Sequence, residues 1–209
     1  SLLLTVFLGT PLAWIIANSS GNFQKVLSLI VDLPIVIPPA VVGICLLYVL
    51  GIKGLIGQHL HYFGISISFS TAAVVLAQIS VSSPFFIQAA QSAFKKIDPE
   101  LVLVARTLGC SPFKAFIKII IPLSAPGLIS GAAMALARSL GEFGATLLFA
   151  GNLPGRTQTM PLAIYTALES DIETAMAFSL VLVTSTIALL GILKGSHHFQ
   201  DLLHKENHS

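Results

Sequence analysis

An all-α bundle that crosses a membrane several times is the fold this sequence predicts, on three observations. Hydrophobic residues make up 55% of the 209 residues and charged residues 10%, whereas a soluble domain carries about 25% charged residues. The mean hydropathy is +0.89, too high for a solvated surface. Five apolar stretches, at about residues 2–17, 26–50, 71–94, 119–150 and 172–193, are separated by short polar or Gly-rich connections. A spanning helix needs roughly 20 mainly apolar residues, so about five spans fill the chain. Residues 1–209 therefore read as a single transmembrane domain.

The first stretch opens on Ser1 inside an apolar run, without a basic n-region or a signal-peptidase site. It is expected to be a span whose beginning lies upstream. The second holds Pro34, Pro38 and Pro39, with Asp32 just before them. Proline removes a backbone donor and kinks or breaks a span. The group is either a static kink or a gate element beside a pathway. The third stretch, 71–94, reads as one uninterrupted span.

The fourth stretch is longer than one span needs and is expected to begin with an interfacial segment broken near Pro122 and Pro126. Two rows of small residues run along it at four-residue spacing: Gly127, Gly131, Ala135 and Ser139, then Ala133, Ala137, Gly141 and Ala145. Such rows let helices approach closely, so this helix is expected at the centre of the bundle. Arg138 and Glu142 are its only deep charges and share a helix face. They neutralise each other where a lone charge would be costly. The pair is either an internal lock or part of a pathway or gate, for which Ser139 and Thr146, with Pro38 and Pro39, complete the candidate set. Ser130 is a further pore-lining candidate. The fifth stretch ends in a polar tail.

Five of the eleven basic residues fall between the third and fourth stretches: Lys95, Lys96, Arg106, Lys114 and Lys118. By the positive-inside rule that segment and the C-terminus are cytoplasmic. The 51–70 and 151–171 connections then face outward, with Glu169, Asp171 and Glu173 near the outer surface. The basic segment has its own design. Asp98, Pro99 and Glu100 read as an N-cap, a proline at the first helical position and an acidic first turn. Leu101, Val104, Ala105 and Leu108 form an apolar face, Gly109 is placed for a left-handed stop, and Ser111 with Pro112 repeats the cap. Phe113, Phe116 and Ile117 carry the apolar face onward. Two capped amphipathic helices in one connection predict a docking element over about residues 95–122.

These residues resemble the EAA loop of ABC importer permeases, whose pattern is Glu-Ala-Ala, three residues, Gly, nine residues, Ile, one residue, Leu-Pro. Ala105, Gly109, Ile119 and Pro122 match it, while Leu103, Val104 and Ile121 replace its Glu, Ala and Leu. Three further stretches look like molybdate permeases: LPIVIPPAVVG at 33–43, ARTLG at 105–109 and ARSLGEFGATLLFAGNLPGRTQTMPLAIY at 137–165. The resemblance implies a multi-pass subunit of the plasma (inner) membrane, surrounded by lipid. It implies a homodimer with the pathway between two copies, and cytoplasmic ABC ATPase subunits docked on the EAA loops through Asp98, Ala105, Arg106, Gly109, Ile119 and Pro122. It also implies an extracytoplasmic binding protein that delivers the oxyanion, molybdate or tungstate, with a sulfate/thiosulfate permease as the alternative. ATP and Mg would belong to the partner ATPase, because no G-x-x-x-x-G-K-[ST] phosphate loop occurs here. No cofactor of its own is expected.

Other classes fit less well. An intramembrane hydrolase needs a Ser paired with a His or Lys inside the membrane, yet every His lies in a loop or tail. A secondary transporter usually shows an internal repeat, and none is present. His204 and His208 have metal-ligand spacing but no third ligand class beside them, so no metal site is expected. Cys45 and Cys110 sit in unlike surroundings and predict no disulfide. The net charge of +2 implies no nucleic-acid partner.

Overall fold

The structure, a computed structural model, describes residues 1–206, with side-chain surroundings through Ile192. Its helices are α1 (Leu2–Asn18), α2 (Gly21–Val36), α3 (Pro39–Leu50), α4 (Gly57–Tyr62), α5 (Thr71–Lys95), α6 (Pro99–Thr107) and α7 (Pro112–Ala115). A π-helical turn, π1 (Phe116–Ile120), leads into α8 (Ile121–Leu140), α9 (Gly144–Ala150), α10 (Met160–Leu168) and α11 (Ile172–Glu206). No strand occurs among the described residues.

Thr71–Lys95, Pro112–Leu140 and Ile172–Ile192 are long and apolar enough to cross a membrane. At a rise of 1.5 Å per residue, the 25 residues of α5 extend about 37 Å, more than the roughly 30 Å hydrocarbon layer. Taken together, the bent pair α2 and α3 is also long and apolar enough to cross, and the 17-residue α1 is a shorter apolar helix.

α5 is the central post. One core cluster joins it, through Phe86, Ile87, Ala90 and Phe94, to Ala13 and Ile16 of α1 and Ala135 of α8. A second joins Ala73, Ala77 and Val81 to Val42 of α3 and to Ala145, Phe149 and Ala150 of α9. The small-residue row on α8 does what its spacing predicts. A Cβ on Gly127 would stand 2.4 Å from the Cβ of Ala93, and one on Gly131 would stand 2.8 Å from the Cβ of Ala89. The backbones of α5 and α8 therefore approach within the clearance of a missing methyl.

The structure corrects three expectations. The second stretch is not one straight helix: α2 and α3 meet at 115°, where Pro38 and Pro39 withhold two consecutive N–H groups and Ile37 is extended at ψ 132°. The fourth stretch is not broken near Pro122 and Pro126. Pro122 comes just after the π turn, the kind of local adjustment that lets a span tolerate a missing donor, and α8 runs on past Pro126. The break falls instead after Leu140, so the second small-residue row is interrupted at Gly141. The outward connections are also not plain loops, since they hold α4 and α10.

Candidate functional site

The capped hairpin over 95–122 forms as its residues dictate. Asp98 Oδ1 accepts from the Glu100 N–H at 2.9 Å, and Ser111 Oγ accepts from the Lys114 N–H at 3.3 Å. Between the caps, Gly109 adopts φ +84°. The Cys110 N–H then reaches the Ala105 carbonyl, and the Gly109 N–H the Arg106 carbonyl, each at 3.0 Å. This double closure is the Schellman arrangement, which uses up carbonyls a helix end would otherwise leave bare. Beyond the turn, α7, π1 and α8 make one continuous helical span, Pro112–Leu140. Ile119 lies in π1, half-buried, and Pro122 is exposed.

The hairpin leaves its apolar side uncovered. Leu101, Leu103, Val104, Leu108 and Phe113 are all exposed, Leu108 by 83%. Its other side is anchored by rings. Trp14 of α1 stands 5.4 Å, centroid to centroid, from both Phe94 at the end of α5 and Phe116 of π1. A cavity of 390 Å³, lined by Trp14, Asn18, Phe94, Val102, Arg106 and Phe116 among others, lies beneath the hairpin.

The second cluster surrounds the two helix breaks. Glu142 follows the last turn of α8, so it does not share a helix face with Arg138 as the spacing alone suggests. The pair forms nonetheless, Arg138 Nη1 to Glu142 Oε2 at 2.8 Å, with Glu142 1% exposed and Arg138 27%. The other carboxylate oxygen accepts from the Ala145 N–H at 2.8 Å. Arg138 thus sits where α8 ends and Glu142 where α9 begins, the charge signs that the dipoles of those two ends favour. Ser139 and Thr146 are buried, and their hydroxyls donate to the carbonyls of Leu136 and Phe143. Gln78 of α5 donates to the Ser139 carbonyl at 3.4 Å.

The breaks meet each other. A Cβ on Gly144 would stand 3.1 Å from the Ala40 nitrogen, and one on Gly43 would stand 2.8 Å from the Ala145 carbonyl oxygen. Pro38 and Pro39 are thereby brought beside the α8–α9 junction. On α8, Pro122, Pro126, Ser130, Met134 and Arg138 recur every four residues and none is buried. The open face of α8 carries Arg138, while the row through Gly131, Ala135 and Ser139 is packed inward.

Sequence reasoning missed Gly43, Gly144 and the aromatic group, whose roles depend on partners distant in the chain. It also missed Gln78 and Gln88, which an apolar span would not carry without a use. Among the described residues no three His, Cys, Asp or Glu side chains gather into a metal site. His208 lies outside the described residues, and the surroundings of His204 are not defined.

An all-helical domain with broken spans and an exposed capped hairpin is the architecture of an ABC importer's membrane subunit. The family described as "Binding-protein-dependent transport system inner membrane component" matches residues 9–198, and the chain belongs to it. It is accordingly a multi-pass membrane protein and a permease. It is 46% identical over 193 residues to the "Molybdenum transport system permease protein ModB" of Mycobacterium tuberculosis, covering 92% of this chain and 73% of that one. The Escherichia coli K12 protein of the same name is 38% identical, covering 88% and 81%. The "Probable transport system permease protein NifC" of Clostridium pasteurianum is 41% identical, covering 93% and 68%. Among solved structures, a bacterial alginate ABC transporter in complex with an alginate pentasaccharide-bound periplasmic protein is similar with a TM-score of 0.70. Its identity is 18%, and the match covers 92% of this chain and 72% of that one. The MetNI methionine ABC transporter in an inward-facing conformation is similar with a TM-score of 0.57 at 17% identity, covering 93% and 88%. At those identities the two structures speak for the fold alone.

Proposed function

We propose that this chain is the membrane-spanning subunit of an ABC importer that carries molybdate, and tungstate with it, driven by ATP hydrolysis on a partner subunit. The observation that carries the substrate is the identity of 46% to a molybdenum transport permease across nearly the whole chain. The hairpin over 95–122, with its bare apolar side, receives the ATPase. Its lysines and arginine, by the positive-inside rule, support a cytoplasmic side for it and for the C-terminus. Two copies enclose the pathway, and the open face of α8 that carries Arg138 lines it. A guanidinium already neutralised by Glu142 attracts a passing dianion without trapping it, which suits a conduit.

The deciding experiment is uptake by the complex reconstituted with its ATPase and binding protein in proteoliposomes. ATP-dependent accumulation of molybdate, inhibited by tungstate and barely by sulfate, is the expected result. Accumulation of sulfate with molybdate ignored would reassign the substrate, and uptake without ATP would remove the chain from this class of transport.

A further inference from the structure

We propose that Asp32 and Gln88 form a latch holding the α2 arm of the bent span against α5, and that this latch opens and closes during transport. The Gln88 amide donates to Asp32 Oδ1 at 2.7 Å, 56 residues apart in sequence. Asp32 lies five residues before Ile37, where the span turns by 115° onto two prolines.

The two arms of the bend are held very differently. α3 is seated on α9 by backbone contact at Gly43 and Gly144. α2 has no buried residue. It meets the core only through the half-buried Leu27 and Val31. An arm held so lightly, joined through a junction without two of its N–H groups, can pivot at a smaller cost in packing than α3. To that light packing the latch adds a hydrogen bond to a charged group, which is stronger than one between neutral partners.

Asp32 also shows which medium that seam meets. Among the described residues no cationic group lies within 4.0 Å of its carboxylate. A carboxylate sharing only an amide is costly against lipid, so the seam opens to water or to protein. Gln24 and Ser28, two turns and one turn earlier on α2, are half-buried like Asp32. They continue a polar row along one side of α2. Opening the latch exposes that row to water, and closing it withdraws the row.

The latch is tested in a chain lacking Cys45 and Cys110 and carrying Asp32→Cys and Gln88→Cys, assembled with the ATPase in proteoliposomes. A short bis-methanethiosulfonate reagent should join the two positions in the nucleotide-free complex and do so several-fold less when a non-hydrolysable ATP analogue is bound. Joining them should cut ATP-dependent molybdate uptake at least tenfold with the ATPase still attached, and a reductant should restore it. A second pair of variants reads the ratio of anions moved to ATP hydrolysed. Asp32→Leu should lower that ratio, and Asp32→Asn with Gln88→Glu, which exchanges carboxylate and amide, should recover it. No joining in either nucleotide state, equal joining in both, or full uptake by the joined complex overturns the latch. The uptake readout rests on the molybdate reading. If the unsubstituted complex carries no oxyanion, that reading fails, while the nucleotide dependence of the crosslink still decides the latch.

Discussion

Glu142 does two jobs with its two oxygens, and this fixes what its substitution does. One oxygen neutralises Arg138 and the other receives the Ala145 N–H. Arg138→Met strands a buried carboxylate and should cost about 3–5 kcal/mol. Arg138→Met with Glu142→Gln removes both charges and keeps an acceptor for Ala145, so it should recover most of that loss. With Glu142→Leu instead, the Ala145 N–H is left unpaired, and about 1–3 kcal/mol should remain missing. Thermal unfolding of the purified complexes orders the three. Equal stability of the two double variants would show that the Ala145 contact contributes nothing. Asp171, before α11, is a simpler case. Its carboxyl lies below the ordinary value of 3.8, held there by the Thr174 hydroxyl and the Glu173 N–H. A lowered value means stability present at neutral pH and lost as pH falls through it. The first turn of α11 should lose amide-exchange protection, measured relative to the intrinsic rate at each pH, below about pH 4, and Asp171→Asn should remove that dependence. An unchanged pH profile in the variant would assign the effect elsewhere.

At the scale of the helices, glycine marks both turns and contacts, and the two kinds answer differently to substitution. At Gly109 a side chain would meet nothing within 4 Å, but φ is +84°. Gly109→Val should therefore act through the backbone, by about 1–2 kcal/mol, and weaken copurification of the ATPase, with Gly109→Asn intermediate. Undiminished copurification with Gly109→Val would count against the docking role of the hairpin. At Gly43 the φ is ordinary, but a Cβ would stand 2.8 and 2.9 Å from backbone atoms of Ala145, which cannot step aside alone. Gly43→Ala should cost about 1–3 kcal/mol. Gly141→Ala, whose nearest neighbour is 3.8 Å away, should be neutral in the same melting assay.

This difference explains what could be read in the sequence. Gly109 was legible because its role is local, enclosed between an amphipathic helix and a Ser-Pro cap. So were the caps at Asp98 and Ser111 and the small-residue row on α8. Gly43 was not, since its partner Ala145 lies about a hundred residues on and periodicity carries no register between helices. The break after Leu140 was hidden for a related reason. Glu142 and Gly144 follow an apolar helix without a proline to announce its end, and the carboxylate that caps α9 also completes a spacing of four with Arg138. The prolines at 122 and 126 pointed to a break, but the helix runs through both, since a span tolerates proline where local π geometry and neighbouring groups take up the freed backbone.

For the molecule as a whole, the uncovered surface says more than the core. Ile172, Met176, Leu180, Val183, Ile187 and Ile192 of α11 are all exposed, an apolar surface that needs lipid or protein against it. The exposed row on α8 ends instead in a charge. In a background lacking Cys45 and Cys110, single cysteines at Ser130 and Met134 should react with a water-soluble thiol reagent in the assembled complex. Cysteines at the buried Ala133 and Ala135 should not. Silence at both exposed positions would take α8 off the pathway.

The continuity of the helix from Pro112 to Leu140 has a mechanical corollary. At 1.5 Å per residue its 29 residues make a lever about 44 Å long. A tilt of about 5° about one end moves the other by about 4 Å, near the width of a small anion, without stretching any bond. Work done at the hairpin therefore needs only a small angular stroke to matter at the far side, provided the lever does not flex. The π turn at its root, where each turn holds more residues than the α geometry admits, is the place where compliance would enter.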